Sequence, residues 1–126
     1  MAYDINVFIQ QSSKLELLHI FVNRFNVFAA QEGSAEADTL TETVFGIHLS
    51  LVTDHGLEDD CGIAFSRYGH QVGFTLYAGR MDPTAGQALC RALATAFAHT
   101  VANELHRECL IVEGVERVLE EVHPSN

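Results

Sequence analysis

Residues 82–105 read DPTAGQALCRALATAFAHTVANEL, and this stretch decides most of the fold. Asp82 can cap the free amides of a helix start, and Pro83 suits the first helical position because its missing N–H would have no partner there. The apolar stripe that follows, at spacings of three and four residues, consists of Leu89, Leu93, Ala96, Phe97, Val101 and Leu105. At about 1.5 Å per residue such a helix is roughly 35 Å long. We therefore expect one long helix that lies across a sheet.

The sequence before this helix predicts the strands of that sheet. Residues 3–9 place Tyr3, Ile5, Val7 and Ile9 on one side of an extended strand. Three further runs alternate in the same way, at residues 45–51, 61–65 and 72–76, and predict an antiparallel meander with one buried face.

Two segments complete the first half of the chain. Residues 13–25 predict a helix, because Ser13 and Glu16 form a capping box ahead of an apolar stripe. Residues 31–43 have no apolar period and predict a surface connection.

After the long helix, residues 109–112 predict a strand, and residues 117–122 predict either a last edge strand or a terminal helical turn. The element order is then β-α-β-β-β-α-β(-β). This order predicts an α+β fold, a two-layer sandwich in which an antiparallel meander sheet packs against two helices. The length of 126 residues fits one domain, residues 1–126.

The charge of the chain constrains its partner. Seventeen Asp and Glu residues stand against seven Lys and Arg, which gives a net charge of -10. Such a charge repels nucleic acid and anionic lipid and attracts basic proteins. We therefore expect a protein partner and no binding to nucleic acid or membrane. A homodimer is a further possibility that the charge does not decide.

The excess of negative charge is densest at residues 54–60, DHGLEDD. We expect this segment to be a short acidic loop on the rigid meander that enters a basic cleft of the partner, with Leu57 as an apolar anchor. The predicted partner-binding residues are Asp54, Leu57, Glu58, Asp59 and Asp60.

Other interpretations of the acidic loop stay open. It can be a solvated hairpin tip whose charges prevent edge pairing. A calcium site is disfavoured, since the EF-hand order of acidic residues around a central glycine is absent. A second candidate binding face is the acidic run near the C-terminus, made of Glu113, Glu116, Glu120 and Glu121.

No motif in the chain indicates catalysis. The GxSxG, GxGxxG and GxxxxGK patterns are absent. The seven His residues lack HxH, HxxxH and HExxH spacing, and His99 and His106 lie two helical turns apart, about 10 Å. We therefore expect no catalytic residue, no cofactor and no metal. The alternative is a small enzyme or ligand-binding protein that uses His48, His70 or Tyr77 on the outer face of the meander.

The cysteines and the N-terminal composition bear on the compartment. Cys61, Cys90 and Cys109 are odd in number and form no CxxC pair, which favours buried, reduced thiols in the cytoplasm. No Lys or Arg precedes Lys14, so the basic region of a secretory signal is missing.

In size, acidity, element order and lack of catalytic motifs, the chain resembles the small acidic immunity proteins of bacterial polymorphic toxin systems. That resemblance implies a cytoplasmic, non-enzymatic protein that binds a cognate toxin domain and blocks it. Residues 13–105 also resemble the acidic chaperones of type III secretion, which combine a first helix, a three-strand meander and a long second helix. That second resemblance implies binding of an extended effector segment instead of a folded domain.

Overall fold

A computed structural model describes residues 3–10, 16–17, 20, 27–32, 37–42, 48–53, 55–59, 62–76 and 82–124. The strands are β1 (Tyr3–Ile9), β2 (Val27–Glu32), β3 (Ala37–Glu42), β4 (His48–Thr53), β5 (His70–Leu76), β6 (Cys109–Glu113) and β7 (Arg117–Val122). One long helix, α1 (Pro83–Leu105), lies between β5 and β6, and a 3-10 turn (Phe65–Arg67) precedes β5. The chain therefore has an α+β fold.

The seven strands form one antiparallel sheet in the order β2-β3-β4-β5-β1-β6-β7. The first four of these follow one another in sequence and form the meander. β1 lies inside the sheet, where Val7 is opposite Val72 of β5 on one side and Ile111 of β6 on the other. This register gives the sheet two distinct faces along β1, one with Ile5, Val7 and Ile9 and one with Asn6 and Phe8.

The helix α1 covers the first of these faces. The Asp82 side chain accepts a hydrogen bond from the Ala85 amide at 3.1 Å, as the capping prediction requires. His106 ends the helix in the left-handed conformation. The buried residues on this side include Ile5, Val7, Ile9, Leu51, Val72, Phe74, Cys90, Ala94, Phe97, Ala98, Val101, Ala102, Cys109, Ile111 and Val122.

Two predictions from the sequence are wrong, and a third is decided between its two alternatives. Residues 31–43 were expected to form a surface connection, but β2 and β3 run through most of them. Residues 61–65 were expected to form a strand; Ile63 makes only an isolated bridge, and Phe65 begins the 3-10 turn. Residues 117–122 form the edge strand β7, and the helical alternative is excluded. Of the predicted first helix, the structure describes helical backbone at Glu16, Leu17 and Ile20.

No helix in the described part of the chain is both long enough and apolar enough to cross a membrane.

Candidate partner-binding face

The acidic segment at residues 54–60 belongs to a longer connection between β4 and β5, residues 54–69. This connection leaves the sheet after Thr53 of β4 and returns at His70 of β5, and these two residues are paired directly. Its two ends are therefore adjacent, as in an Ω-loop. We call residues 54–69 the acidic loop. The described part of this loop connects the paired strands β4 and β5 and folds over the face of the sheet opposite α1.

An apolar cluster attaches the acidic loop to the sheet. Ile63, Phe65 and Tyr68 of the loop are buried against Phe8 of β1 and Leu110 and Val112 of β6. The rings of Phe8 and Phe65 have centroids 4.8 Å apart. Burial of each large apolar side chain stabilises this attachment by about 1.5–3 kcal/mol.

His55 connects the two arms of the loop. Its Nε2 atom lies 2.8 Å from the carbonyl oxygen of Tyr68, and its Nδ1 atom accepts a hydrogen bond from the Leu57 amide at 3.0 Å. The imidazole also meets the ring of Phe8 edge to face, at 5.5 Å between centroids. The backbone at Leu57 is therefore fixed from the sheet side.

The predicted partner-binding residues divide into three groups. Glu58 and Asp59 are exposed. Leu57 is half-buried and packs against the cluster beneath the loop, so it is less available as an apolar anchor than predicted. Asp54 and Asp60 lie outside the described residues.

Asp59 has a fixed side chain. Its Oδ1 atom accepts a hydrogen bond from the backbone amide of Ser66 at 3.0 Å. That bond, together with one from the Ser66 hydroxyl, lowers the pKa of the Asp59 carboxyl below its usual range. Asp59 is therefore held in the charged form at neutral pH.

The exposed carboxylates of the loop have no cationic partner within the described residues. Glu58 makes no ion pair there, and Asp59 bonds only to Ser66. The loop's own cation, Arg67, points instead to Glu108, at 3.3 Å. The negative charge of Glu58 and Asp59 is therefore not neutralised by a cation among the described residues.

The acidic run near the C-terminus is not one surface. Glu113 accepts a hydrogen bond from the Tyr3 hydroxyl at 2.8 Å, and Glu120 lies 2.8 Å from Nε2 of His99 on α1. Both face the helix side. Glu121 is opposite Leu110 of the loop-side cluster and is exposed. Sequence analysis missed this division, although alternation along a strand separates neighbouring residues onto opposite faces.

We define the acidic loop face as the exposed carboxylates on the loop side of the sheet: Glu58, Asp59 and Glu121.

A second polar cluster lies at the other end of β1. Burial, together with the hydrogen bond to Glu113, raises the pKa of the Tyr3 hydroxyl, and the nearby Arg91 guanidinium of α1 opposes that rise. Arg117 approaches the same Glu113 carboxylate at 3.7 Å. These contacts connect α1, β1 and β6, and we assign them a structural role.

Of the side chains of the enzyme or ligand-binding alternative, the structure describes that of His70. His70 is buried on the helix side, where it follows the same alternation as Val72 and Phe74. Tyr77 and the side chain of His48 lie outside what the structure describes. Within the described residues, no three His, Cys, Asp or Glu side chains are placed to hold a metal ion.

On the face of the sheet opposite α1, the side chains of Asn6 and Ser50 occupy the space beside Gly73. The Asn6 amide donates to the Gly114 carbonyl at 2.6 Å and to Asp4 at 2.9 Å, and it accepts from Gln71 at 3.0 Å. A Cβ atom at Gly73 would lie 3.0 Å from the Ser50 hydroxyl, so the absence of a side chain there permits this close arrangement.

An open groove of about 640 Å³ follows the exposed side of α1, lined by Thr84, Gln87, Ala88, Arg91, Ala92, Thr95 and Ala96. All of these residues belong to one helix and the groove is open to solvent, so it does not enclose a ligand as small-molecule sites usually do. The acidic loop face is therefore the better candidate.

No protein-family profile, curated protein or solved structure matches this chain.

Proposed function

We propose that this protein is a non-enzymatic immunity protein that binds a basic toxin domain through the acidic loop face and blocks it. The observation that carries the proposal is the pair of exposed carboxylates, Glu58 and Asp59, on a loop that is fixed to the sheet and has no cationic partner for them among the described residues. The choice of a toxin as partner rests on the resemblance to immunity proteins, and the choice of a basic partner rests on the charge.

The physical basis is electrostatic steering. A net charge of -10 attracts a basic domain from a distance, and the fixed carboxylates then select its orientation. A pre-ordered loop also loses less conformational entropy on binding than a mobile one. Both effects favour a folded partner with a concave basic surface, such as the active-site cleft of a toxin that acts on nucleic acid.

The first experiment identifies the partner. Wild-type protein and the E58Q/D59N variant serve as matched baits for capture from the native host, followed by mass spectrometry. E104Q/E116Q is the matched control, because it also removes two charges, one from α1 and one from the turn between β6 and β7, and neither belongs to the acidic loop face. We expect a basic domain that wild type and control retain and E58Q/D59N loses.

The captured domain must then be tested for toxicity. Its expression alone should stop growth, and co-expression of the wild-type protein should restore it. An extended effector segment without toxicity would favour the chaperone alternative, and a domain that is retained equally by all three baits would contradict the role of the loop.

The second experiment measures association kinetics across a salt series. The Debye length falls from about 30 Å at 0.01 M salt to about 8 Å at 0.15 M, so steering should weaken over this range. We expect E58Q/D59N to associate roughly two- to tenfold more slowly than wild type at low salt, with a shallower salt dependence. Equal rates for E58Q/D59N and E104Q/E116Q would exclude the acidic loop face.

A further inference from the structure

We infer that His55 is a positioning residue that clamps the acidic loop and thereby sets the orientation of Glu58 and Asp59. The consequence for binding rests on the function proposed above. The clamp itself is a property of the free protein and is tested without a partner.

The hydrogen bonds of His55 assign its tautomer. The Tyr68 carbonyl oxygen can only accept, so the hydrogen must lie on Nε2. The Leu57 amide can only donate, so Nδ1 must carry the lone pair. One neutral tautomer satisfies both partners, and an imidazolium, with hydrogens on both nitrogens, cannot.

The side chain of His55 connects the two arms of the loop just beyond the point where the backbone pairing of β4 and β5 ends. Thr53 and His70 are the last directly paired residues of β4 and β5. Beyond them, in the described part of the loop, the two arms are connected by side chains: His55 to Tyr68 near the base, and Asp59 to Ser66 farther out. Of the backbone bonds there, those from Arg67 and Tyr68 are local to the 3-10 turn, and Ile63 makes an isolated bridge.

The position of Glu58 follows from these two connections. It lies between Leu57, whose amide is bound by His55, and Asp59, whose carboxylate is bound by Ser66. The imidazole is in turn held against Phe8 of β1, an interior strand of the sheet. Loss of the clamp should therefore let the carboxylates move while the charge of the loop stays the same.

Three substitutions separate the parts of the clamp. H55N keeps an acceptor that can reach the amide two residues on, as in an Asx turn, but loses the bond to Tyr68. H55Q keeps a donor of similar reach toward Tyr68 and loses the short-range acceptor. H55F keeps an aromatic ring against Phe8 and loses both hydrogen bonds.

The first measurement is amide hydrogen exchange of the free protein. Two neutral hydrogen bonds are lost in H55F, so we expect exchange in residues 55–69 to accelerate about tenfold or more, while the amides of β1 and α1 keep their protection. H55N and H55Q should lie between H55F and wild type. Unchanged exchange in the loop of H55F would overturn the clamp, as would acceleration of equal size throughout the sheet.

The second measurement needs no variant. Nitrogen NMR of the wild-type imidazole at neutral pH should find hydrogen on Nε2 and a hydrogen-bonded, unprotonated Nδ1. The opposite tautomer would overturn the assignment, whether or not H55F folds.

Binding kinetics with the captured basic domain distinguish this inference from the proposed function. H55F keeps every carboxylate, so its association rate should stay close to that of wild type while its dissociation rate rises. Faster loop exchange with no change in dissociation would confirm the clamp and contradict the use of this loop in binding. Slower association in E58Q/D59N with no effect of H55F on exchange would retain the binding face and reject the clamp.

Discussion

The two faces of the sheet are covered in different ways. On the helix side, α1 and neighbouring residues form a buried cluster of seventeen described residues, whereas the loop side has a buried cluster of six. A helix forms its backbone hydrogen bonds internally, so its side chains are available for packing. In the acidic loop, the side chains of His55 and Asp59 bind backbone groups that no helix or strand pairs. We infer that the helix side supplies most of the stability and the loop side displays charge.

The largest expected effect is on the helix side. Phe97 of α1 is fully buried, and its ring lies 5.8 Å from that of Phe74. Phe97→Ala should reduce the free energy of unfolding by about 3–5 kcal/mol, measured by urea titration with circular dichroism. Leu93→Ala is the control. Because Leu93 is only partly buried, this substitution should reduce the free energy of unfolding by less. Equal losses of unfolding free energy in the two variants would contradict the proposal that Phe97 lies in the core and Leu93 at its edge.

Removal of a buried phenylalanine ring on the loop side should reduce the free energy of unfolding by less. Phe65 is also buried, but it holds a loop that can open while the sheet stays folded. We expect Phe65→Ala to lower the free energy of unfolding by about 1–3 kcal/mol and to speed amide exchange mainly in residues 55–69. A loss as large as that of Phe97→Ala, with exchange accelerated throughout, would mean that the two faces form one cooperative core.

The reactivity of the cysteines tests whether solvent reaches the core on the helix side. Burial raises the pKa of Cys90 to about 11 and that of Cys109 to about 12. At pH 8 both thiols should therefore resist alkylation in the folded protein, because the thiolate is the reactive form. Mass spectrometry of each labelled cysteine should find both protected until urea is added. Rapid labelling without urea would show that water reaches this side.

The same pKa shifts predict a loss of stability in alkali. The unfolded thiols ionise near pH 8.5, and the folded ones at higher pH. Their contribution to stability is therefore complete below about pH 8.5 and falls as the pH rises toward the folded values. Urea midpoints at pH 7 and pH 10 measure this, with Cys90→Ala/Cys109→Ala as the control.

The smallest effect on stability should come from the acidic loop face. In E58Q/D59N both side chains are exposed, and an Asn at position 59 keeps an oxygen that can accept from Ser66. The free energy of unfolding of E58Q/D59N should stay within about 0.5 kcal/mol of wild type. A larger loss in E58Q/D59N would show that these carboxylates stabilise the fold, which would weaken their assignment to a partner.

Sequence patterns predicted the parts of the fold that local chemistry determines. The start of α1 followed from Asp82 and Pro83, and its length from the apolar stripe. β1 and β5 followed from alternation. β2 and β3 did not, because their composition has no apolar period and their pairing is fixed by register with β4, which lies elsewhere in the chain.

The false strand at residues 61–65 has a different cause. Ile63 and Phe65 do alternate with more exposed residues, and both are buried. Alternation shows that one side of an extended segment is covered, but it does not show that the segment has a hydrogen-bonded neighbour. The same limit explains why the acidic composition of residues 54–60 was visible in the sequence and the attachment of the loop to Phe8 was not.

The interior position of β1 has a consequence for how the protein is made. The hydrogen bond from Asn6 to Gly114 spans 108 positions, so a ribosome that adds about 5–20 residues per second delivers the second partner strand roughly 5–20 s after β1. Until then one edge of β1 has no neighbour, and an unpaired apolar strand invites aggregation. The sheet can therefore be completed only after β6 has been synthesised, and β1 is exposed to wrong pairing during translation.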